Sequence, residues 1–519
     1  MKVPIESSVV PLGAGRQRPS WAFPATVTFI YLAIATYAIC HHEMWRDELH
    51  CWLVARDSSA PWQVVSARAY DGQPPLWYLL LWVLTRITWH PQMMQIAHVG
   101  IAAVNVLLVC RFAPFSRTAR TLFAFGYFAL YEYAVISRCY GLALLFVILL
   151  CIHHPRRFER PLATGVLLAA LGLTTTVATL VASSYILTLA VETWRRWRCD
   201  PRIRGRAILA VAIGSLGVLA AALCAWPPAD STVARLGRAP ALPWDFGPTR
   251  VVAAFIPIPS PEFFFWNSNA LLDALGSPWF GLALASALVA AALWLLSGHP
   301  SSVLLFAVAS GLLICLFAGV YSGDTRHHGF IFVAFFMASW IAVGQRSTLR
   351  LQRAITIAFA VHVPGAAIAI AFDARYIFSS GARAAHELRR RGLDNSPIVA
   401  EVDYPATAVL GQLGPHAVAF SPRTGRTFSF VRWTADRFWN PTDTQTLQYA
   451  SGLGATLGKD AVLLMNRPLQ PELIGPRVER IAELYDSMIE EENFYIYRVT
   501  QDARAPTDSS SRPTLGLRY

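Results

Sequence analysis

An acidic pair follows the first long hydrophobic segment of the chain. Asp47 and Glu48 stand just beyond the apolar segment 21–41, in the sequence Trp45-Arg46-Asp47-Glu48. Charged side chains are costly near hydrocarbon, so carboxylates at a membrane boundary are candidates for function. A carboxylate held beside a hydroxyl group can take its proton and act as a general base. The alternative is that both acids are solvated charges flanking a helix.

A third acid, Asp71, stands shortly before the segment 74–89, PPLWYLLLWVLTRITW. This segment is apolar but short for a membrane crossing and rich in Trp. We therefore predict a helix that lies at the membrane interface and begins at the two prolines. Another short helix is predicted from about Asp47 to Arg56. All three acids then belong to one structured outer loop, 41–92.

Cationic and hydrogen-bonding side chains stand at two later membrane edges. Arg138 and Tyr140 begin one apolar segment, and Arg326, His327 and His328 begin another. Arginine binds phosphate bidentately and keeps its charge. The acids lie on one loop, and the cations lie at the membrane edges of two segments far along the chain. We therefore predict a site built from separate segments, in which the cations bind the phosphate of a lipid and a carboxylate lies opposite.

Each of these residues also has a purely structural interpretation. Arg138 could pair with Glu132, and Arg326 could anchor its helix at the interface with its charge in water. Two adjacent histidines are commonly hydrogen-bonded interface residues. A divalent cation held by the acids and His50 is a further alternative, although no HExxH or DxD spacing supports it, and no cofactor is predicted.

Composition places the chain among membrane proteins. Of its 519 residues, 55% are hydrophobic and 15% are charged, whereas soluble proteins carry about 25% charged residues. The net charge of +12 comes mostly from arginines spread between apolar segments. That distribution fits membrane topology better than nucleic-acid binding, for which there is no recognisable reading element. The eight cysteines show neither a disulfide framework nor zinc-ligand spacing.

Apolar stretches near the length of a bilayer crossing predict about eleven transmembrane helices. They are 21–41, 93–113, 121–136, 138–152, 162–176, 177–192, 206–226, 271–296, 301–321, 327–344 and 354–372. The first is too long for a cleavable signal and is expected to remain as a span. Arginines then fall on alternate loops, the positive-inside pattern of cytoplasmic loops. Counting 74–89 as a span would invert that pattern.

The remaining segments complete the predicted organisation. Residues 1–20 form a cytoplasmic segment, and 21–372 form the transmembrane module. Its second outer loop, 227–270, is rich in Pro and aromatic residues and is either a spacer or, as we favour, a lid. Residues 373–501 form an outer α/β domain on the same side as Asp47, an accessory module, and 502–519 form a disordered tail. We predict two helices in that domain, 379–392 and 441–456. Six strands are predicted at 397–402, 417–420, 428–433, 461–465, 480–484 and 494–499.

The first outer loop resembles that of C-type (GT-C) glycosyltransferases, in particular the bacterial relatives of protein O-mannosyltransferases and aminoarabinose transferases. The likeness lies in WRDELHCWLVARDSSAPWQVVSARAYDGQPPLWYLLLW, residues 45–82. Asp47 and Glu48 match the family's acidic pair after the first span, and Asp71 matches its acid before the Pro-rich helix. Arg138-Cys139-Tyr140 is similar to the family's Arg-x-Tyr. Residues 326–328, Arg-His-His, resemble its late Arg-containing segment.

The resemblance implies an inverting transfer of a sugar from a polyprenyl phosphate. The acceptor would be a protein, a polysaccharide or a glycolipid of the cell envelope, on the periplasmic side of a bacterial inner membrane. Asp47 would act as the base or orient the acceptor, and the later segments would face the lipid phosphate. Two other classes remain open, namely a transporter or flippase of lipid-linked sugars and a non-catalytic envelope assembly component.

Overall fold

The computed structural model describes residues 20–196, 201–232, 246–260, 265–434, 437 and 439–501. The predicted cytoplasmic segment up to residue 19 and the predicted tail 502–519 lie outside these residues, as does part of the second outer loop.

Eight helices of the described chain are long and apolar enough to cross a membrane. They are Ala22–His41, Gln92–Phe112, Thr176–Arg196, Pro201–Ala225, Pro278–Leu296, Pro300–Gly319, Thr325–Gln345 and Leu349–Arg375. Shorter helices in the same part of the chain are Arg46–Arg56, Pro61–Ala67, Leu76–Thr85, Arg117–Ala124, Tyr140–His153, Pro161–Gly172, Phe246–Phe255 and Ala270–Leu275. The lengths and compositions are those of a multi-pass membrane protein. The count of eleven spans is not confirmed, because three expected spans correspond to helices shorter than a crossing requires.

The expected span 121–136 is not a continuous helix. The helix Arg117–Ala124 ends early, and Phe128–Glu132 forms a π-helical turn. Such a turn redirects side chains and is frequent at functional sites. Here it directs Tyr131 and Glu132 into the bundle, where both are buried. The segment then continues through turns to the helix Tyr140–His153.

The helix Thr325–Gln345, here called the central helix, is the most enclosed of the long helices described. Every residue from Thr325 to Val343 is buried. Its N-terminal turn carries Arg326, His327 and His328, so these side chains sit on a rigid support at one end of the bundle.

The loop 41–92 contains the two predicted interfacial helices. Arg46–Arg56, here called the Asp47 helix, begins directly at the acidic pair. Leu76–Thr85 spans ten residues, about 15 Å at the usual helical rise, which is half of a hydrocarbon core. Pro75 is the N-cap residue of this helix.

The described part of the second outer loop does not form a lid. Its helix Phe246–Phe255 is buried from Val251 to Phe255. Pro257 follows it and lies so close to the helix Leu349–Arg375 that a Cβ at Gly365 would come 1.9 Å from the Pro257 carbonyl oxygen. This segment therefore packs inside the bundle, and the expectation of a lid is corrected for these residues.

The C-terminal residues form a small sheet with helices on its faces. Its strands are Ile398–Ala400 (β1), Ala419–Phe420 (β2), Thr427–Phe428 (β3), Ala461–Met465 (β4), Val478–Leu484 (β5) and Phe494–Val499 (β6). Their order is β3-β2-β1-β4-β6-β5, and β1 runs parallel to both of its neighbours. Both predicted helices are present, at Gly381–Arg390 and Asp443–Leu457. A third, Asp403–Leu413, was not predicted.

This domain packs directly on the Asp47 helix. Glu492 accepts hydrogen bonds from the backbone N–H of Arg46 (3.0 Å) and from its guanidinium (3.5 Å). The helix Asp403–Leu413 approaches so closely that a Cβ on Gly411 would lie 2.8 Å from a methyl group of Leu49. Further along, Arg56 donates to the Gly414 carbonyl. The C-terminal domain and Asp47 thus lie at the same end of the bundle.

Candidate active site

Asp47 and Arg326 are in contact although they are 279 positions apart in the sequence. One carboxylate oxygen of Asp47 accepts a hydrogen bond from Arg326 Nη2 at 2.9 Å. The same Nη2 lies 2.6 Å from Asp324 Oδ2, and the guanidinium stacks over Trp45 with its carbon 5.3 Å from the ring centroid. The Arg326 side chain is only 7% exposed, so the protein fixes its orientation.

The Asp47 carboxylate is both charged and reachable. Burial raises its pKa, but the guanidinium groups of Arg138 and Arg326 outweigh burial and hold the pKa below its ordinary value. The side chain is 29% exposed, in contrast to its arginine partner. Asp47 is therefore ionised at neutral pH and open to a second reactant, as a general base must be.

Arg138 contacts the Asp47 helix from the opposite side of the site. Its Nη1 donates to the Asp47 carbonyl oxygen and lies 3.4 Å from Cys51 Sγ. The structural alternative for Arg138 is not observed, because Glu132 instead accepts from the Tyr127 hydroxyl at 2.9 Å. Arg138 and Arg326 thus approach Asp47 from two different segments, as the sequence predicted.

Tyr140 is oriented by His327. The His327 Nδ1 accepts the backbone N–H of Asp324 at 2.9 Å, so this nitrogen carries no proton. The proton of the neutral ring then lies on Nε2, which donates to the Tyr140 oxygen at 2.8 Å. Tyr140 keeps its own O–H to donate, and both arginines of the site are within electrostatic range of it. His327, predicted to bind the phosphate of the donor, uses both ring nitrogens in hydrogen bonds within the protein, one of them to Tyr140.

His328 faces away from Asp47. Its Nε2 hydrogen-bonds the Ser322 carbonyl at 2.9 Å, and its ring packs edge-on against Phe317. It lines a separate cavity together with Arg250 and Asn267. The prediction that His328 binds the donor phosphate is therefore corrected: neighbouring residues of a helix point in different directions, about 100° apart.

Asp71 joins the site through two hydrogen bonds. It accepts from His50 at 2.9 Å and from the Tyr78 hydroxyl at 2.9 Å. His50 lies one helical turn from Asp47, so the two acids border the same face of the Asp47 helix. The Asp71 side chain is nearly buried, and its donors hold it in place.

Glu48 lies in a buried network behind the site. One carboxylate oxygen accepts the Ser137 N–H at 2.6 Å, and the other accepts from His42 at 2.9 Å and from the Trp45 N–H at 3.3 Å. The residue has no solvent exposure. The placement of Glu48 among catalytic groups is corrected accordingly: it caps and anchors the helix that presents Asp47.

Two partners of Arg326 were missed by sequence reasoning. Asp324 pairs with the guanidinium, and it also accepts from Asn267 at 2.9 Å. Trp45 supplies the aromatic face under the cation. Asp324 carried a usable signal, since an Asp just before a helix is a common N-cap residue.

Among the residues described, no group of three His, Cys, Asp or Glu side chains converges as a metal site. The acids of the site instead hold protein partners: Asp47 pairs with arginine, and Asp71 binds His50 and Tyr78.

No protein-family model matches the chain, and no curated protein matches it. Among solved structures, the fold is similar to that in the crystal structure of ArnT from Cupriavidus metallidurans bound to undecaprenyl phosphate. The two chains are 12% identical, the match covers 94% of this chain and 100% of that chain, and the TM-score is 0.49. This identity is too low for residue roles to be carried from one chain to the other.

Proposed function

We propose that this protein is a membrane glycosyltransferase. It would transfer a sugar from a polyprenyl-phosphate donor to an acceptor of the cell envelope. The observation that carries the proposal is the contact of the Asp47 carboxylate with Arg326, together with the hydrogen bond from Arg138 to the Asp47 carbonyl oxygen. An accessible carboxylate beside two enclosed guanidinium groups is the minimum set for displacing a phosphate from an anomeric carbon. The resemblance of the first loop to C-type glycosyltransferases supports the same reaction.

In the proposed reaction an acceptor hydroxyl attacks the anomeric carbon while Asp47 takes its proton. The bond from that carbon to the phosphate oxygen breaks, and its electron pair goes to the leaving phosphate. Arg326, Arg138 and the Tyr140 hydroxyl would stabilise the charge that develops there. Attack opposite the leaving group inverts the configuration of the sugar.

The ion pairs of Arg326 support this division of roles. Its guanidinium contacts the carboxylates of both Asp47 and Asp324. A donor phosphate would compete for that guanidinium and release the carboxylate for the acceptor. Two guanidinium groups can neutralise the leaving phosphate, so the proposed reaction uses no resident cofactor.

The experiment uses purified protein in proteoliposomes with a panel of radiolabelled polyprenyl-phosphate sugars and cell-envelope acceptors. Wild type is expected to move label into a new product. Asp47→Asn should lower the rate by about 10²- to 10⁴-fold, the usual contribution of a general base. The matched control is Asp57→Asn, because Asp57 lies at the far end of the same helix and pairs with Arg56.

A second arm measures the binding of polyprenyl phosphate itself. Arg326→Ala should weaken binding by about 2 kcal/mol or more, because a charged partner of the phosphate is lost. Asp47→Asn should still bind, which shows that it is folded. Full transfer by Asp47→Asn would refute the assigned base, and unchanged binding by Arg326→Ala would refute the phosphate site.

A further inference from the structure

A second cavity lies at the far end of the bundle from Asp47. It has a volume of about 640 Å³. Gly344 and Gln345 of the central helix line it, whereas Arg326 begins the same helix at the active site. At a helical rise of about 1.5 Å per residue, Gln345 lies about 28 Å from Arg326, close to the thickness of a hydrocarbon core. The cavity is therefore at the opposite membrane boundary.

One half of this cavity, here called the opposite-end cavity, is polar and contains both signs of charge. Arg157 Nε donates to Glu192 at 2.8 Å, and its Nη1 donates to the His154 carbonyl at 2.9 Å. Arg195 lines the cavity one turn beyond Glu192 and is exposed. A ligand in this half meets guanidinium groups and a carboxylate together.

The ends of five helices add partial charges to the opposite-end cavity. Four helices reach the cavity with their C-terminal turns, where carbonyl groups lack helical partners and favour cations. They are Gln92–Phe112, Tyr140–His153, Thr176–Arg196 and Thr325–Gln345. The helix Pro300–Gly319 reaches it with its N-terminal turn, at Pro300 and Ser301. Pro300 has no N–H, and the N–H groups of Ser302 and Val303 bond the His299 carbonyl, so Ser301 supplies the N–H of this turn that can face an anion.

The other half of the cavity is apolar. Phe112, Ile152, Trp340 and Ile341 line it. Trp is enriched at membrane interfaces, where lipid chains and headgroups meet. A volume of 640 Å³ is within the usual range of ligand pockets, so a headgroup and the first part of its chains fit.

We propose that the opposite-end cavity binds a membrane lipid whose headgroup carries both a phosphate and an ammonium group. The phosphate would lie against Arg195 and the N-terminal turn at Ser301. The ammonium group would lie against Glu192 and the C-terminal turns of the four helices. A headgroup with negative charge alone would meet Arg195 favourably but would bring no cation to Glu192 and the four helix C-terminal turns. The proposal is independent of the proposed transfer reaction.

The test measures lipid retention by native mass spectrometry of the full-length purified protein. The lipids added are phosphatidylethanolamine, phosphatidylglycerol and phosphatidylcholine of identical chains. Phosphatidylcholine keeps the positive charge but has no N–H to donate. Wild type should retain phosphatidylethanolamine about tenfold more strongly than either other lipid, since a hydrogen bond to a charged group contributes about 1.5–3 kcal/mol.

Filling the cavity provides the decisive variant. A Cβ on Gly344 meets nothing within 4 Å, so Gly344→Leu extends into the cavity without a clash at the backbone. It should lower retention of phosphatidylethanolamine by about tenfold. The matched control is Gly311→Leu, because Gly311 also has nothing within 4 Å and does not line the cavity. Its retention should equal that of wild type.

A third variant tests the role of the negative charge of Glu192. Glu192→Gln should remove the preference for phosphatidylethanolamine over phosphatidylglycerol. Equal retention of the three lipids by wild type would overturn the proposal, as would unchanged retention by Gly344→Leu. Preferential, Gly344-dependent retention of phosphatidylglycerol would also overturn it, since that headgroup has no ammonium.

Discussion

Four ionisable side chains share one buried cluster behind Asp47. The His42 ring lies between Glu48 and Asp373, at 2.9 Å from each carboxylate, and Tyr131 donates to Asp373 at 3.1 Å. Buried charges are tolerated when they are paired and hydrogen-bonded. An imidazolium between two carboxylates meets that condition, and it fixes Glu48 and hence the start of the Asp47 helix.

This cluster predicts a loss of stability at alkaline pH. Burial opposes a charge on His42, but Asp373 and Glu48 outweigh burial and raise its pKa well above the ordinary value of 6.5. Below pH 6.5 the ring is protonated in both folded and unfolded chains, so the stabilisation is fully present. Above it the unfolded chain loses the proton first, and stability should fall by about 1.4 kcal/mol per pH unit up to the folded pKa.

The measurement compares thermal unfolding of wild type and His42→Gln in detergent between pH 6 and pH 9. The advantage of wild type over the variant should shrink as pH rises. His41→Gln is the matched control, because His41 is exposed and bonds only a carbonyl of its own helix. A difference between wild type and His42→Gln that stays constant with pH would show that His42 does not hold an extra proton.

The sequence predicted which side chains come together better than the direction in which each one points. It placed Asp47, Arg138 and Arg326 together because the alternation of the predicted spans puts all three at the same membrane face. The sequence could not tell which of Asp47 and Glu48 faces the site. Adjacent helical residues point about 100° apart, and only the packing of the helix decides which of them faces the site and which is buried behind it. The same ambiguity affected His327 and His328.

At the scale of elements, one close helix contact joins the C-terminal domain to the site. The helix Asp403–Leu413 lies against the Asp47 helix where Gly411 faces Leu49. Nearly every residue of Asp403–Leu413 is buried, so the helix shows no alternation of polar and apolar faces. Sequence patterns detect helices by that alternation, which explains why this one was missed. Strands β4 and β6, by contrast, were predicted at their observed bounds.

A side chain at Gly411 should separate these two helices. In Gly411→Val the new Cβ would lie 2.8 Å from a Leu49 methyl group, so the helices must move apart. Overpacking of this kind costs about 1–3 kcal/mol of folding free energy. We expect a lower unfolding temperature and slower sugar transfer, because the Asp47 helix is displaced.

A double-mutant cycle isolates this contact. Leu49→Ala makes room for the valine, so the double variant should recover about 1 kcal/mol relative to the sum of the single changes. Gly452→Val is the control in the same domain, since a Cβ there meets nothing within 4 Å. Strict additivity of Gly411→Val and Leu49→Ala would contradict a direct contact between the helices.

At the scale of the whole molecule, charge is divided between the two ends of the bundle. The end with Asp47 also carries the C-terminal domain. Several arginines lie at the far end. Arg157 and Arg195 line the opposite-end cavity, and Arg346 directly follows the central helix, whose last residues also line it. Loops rich in arginine remain in the cytoplasm in bacterial membrane proteins. The chain should therefore expose its acidic site to the periplasm and its arginine-rich loops to the cytoplasm.

Cysteine labelling in intact cells tests that orientation. Asp57→Cys lies at the far end of the Asp47 helix and Arg383→Cys lies on the C-terminal domain, and both positions are accessible. Each should react with a membrane-impermeant maleimide added to cells whose outer membrane is permeabilised. Arg346→Cys, exposed just beyond the central helix, should react only after the inner membrane is also opened. The unmodified chain gives the background from its native cysteines. Reaction at Arg346→Cys without reaction at Asp57→Cys would show that the chain has the opposite orientation. The proposed site would then lie where no periplasmic acceptor could reach Asp47.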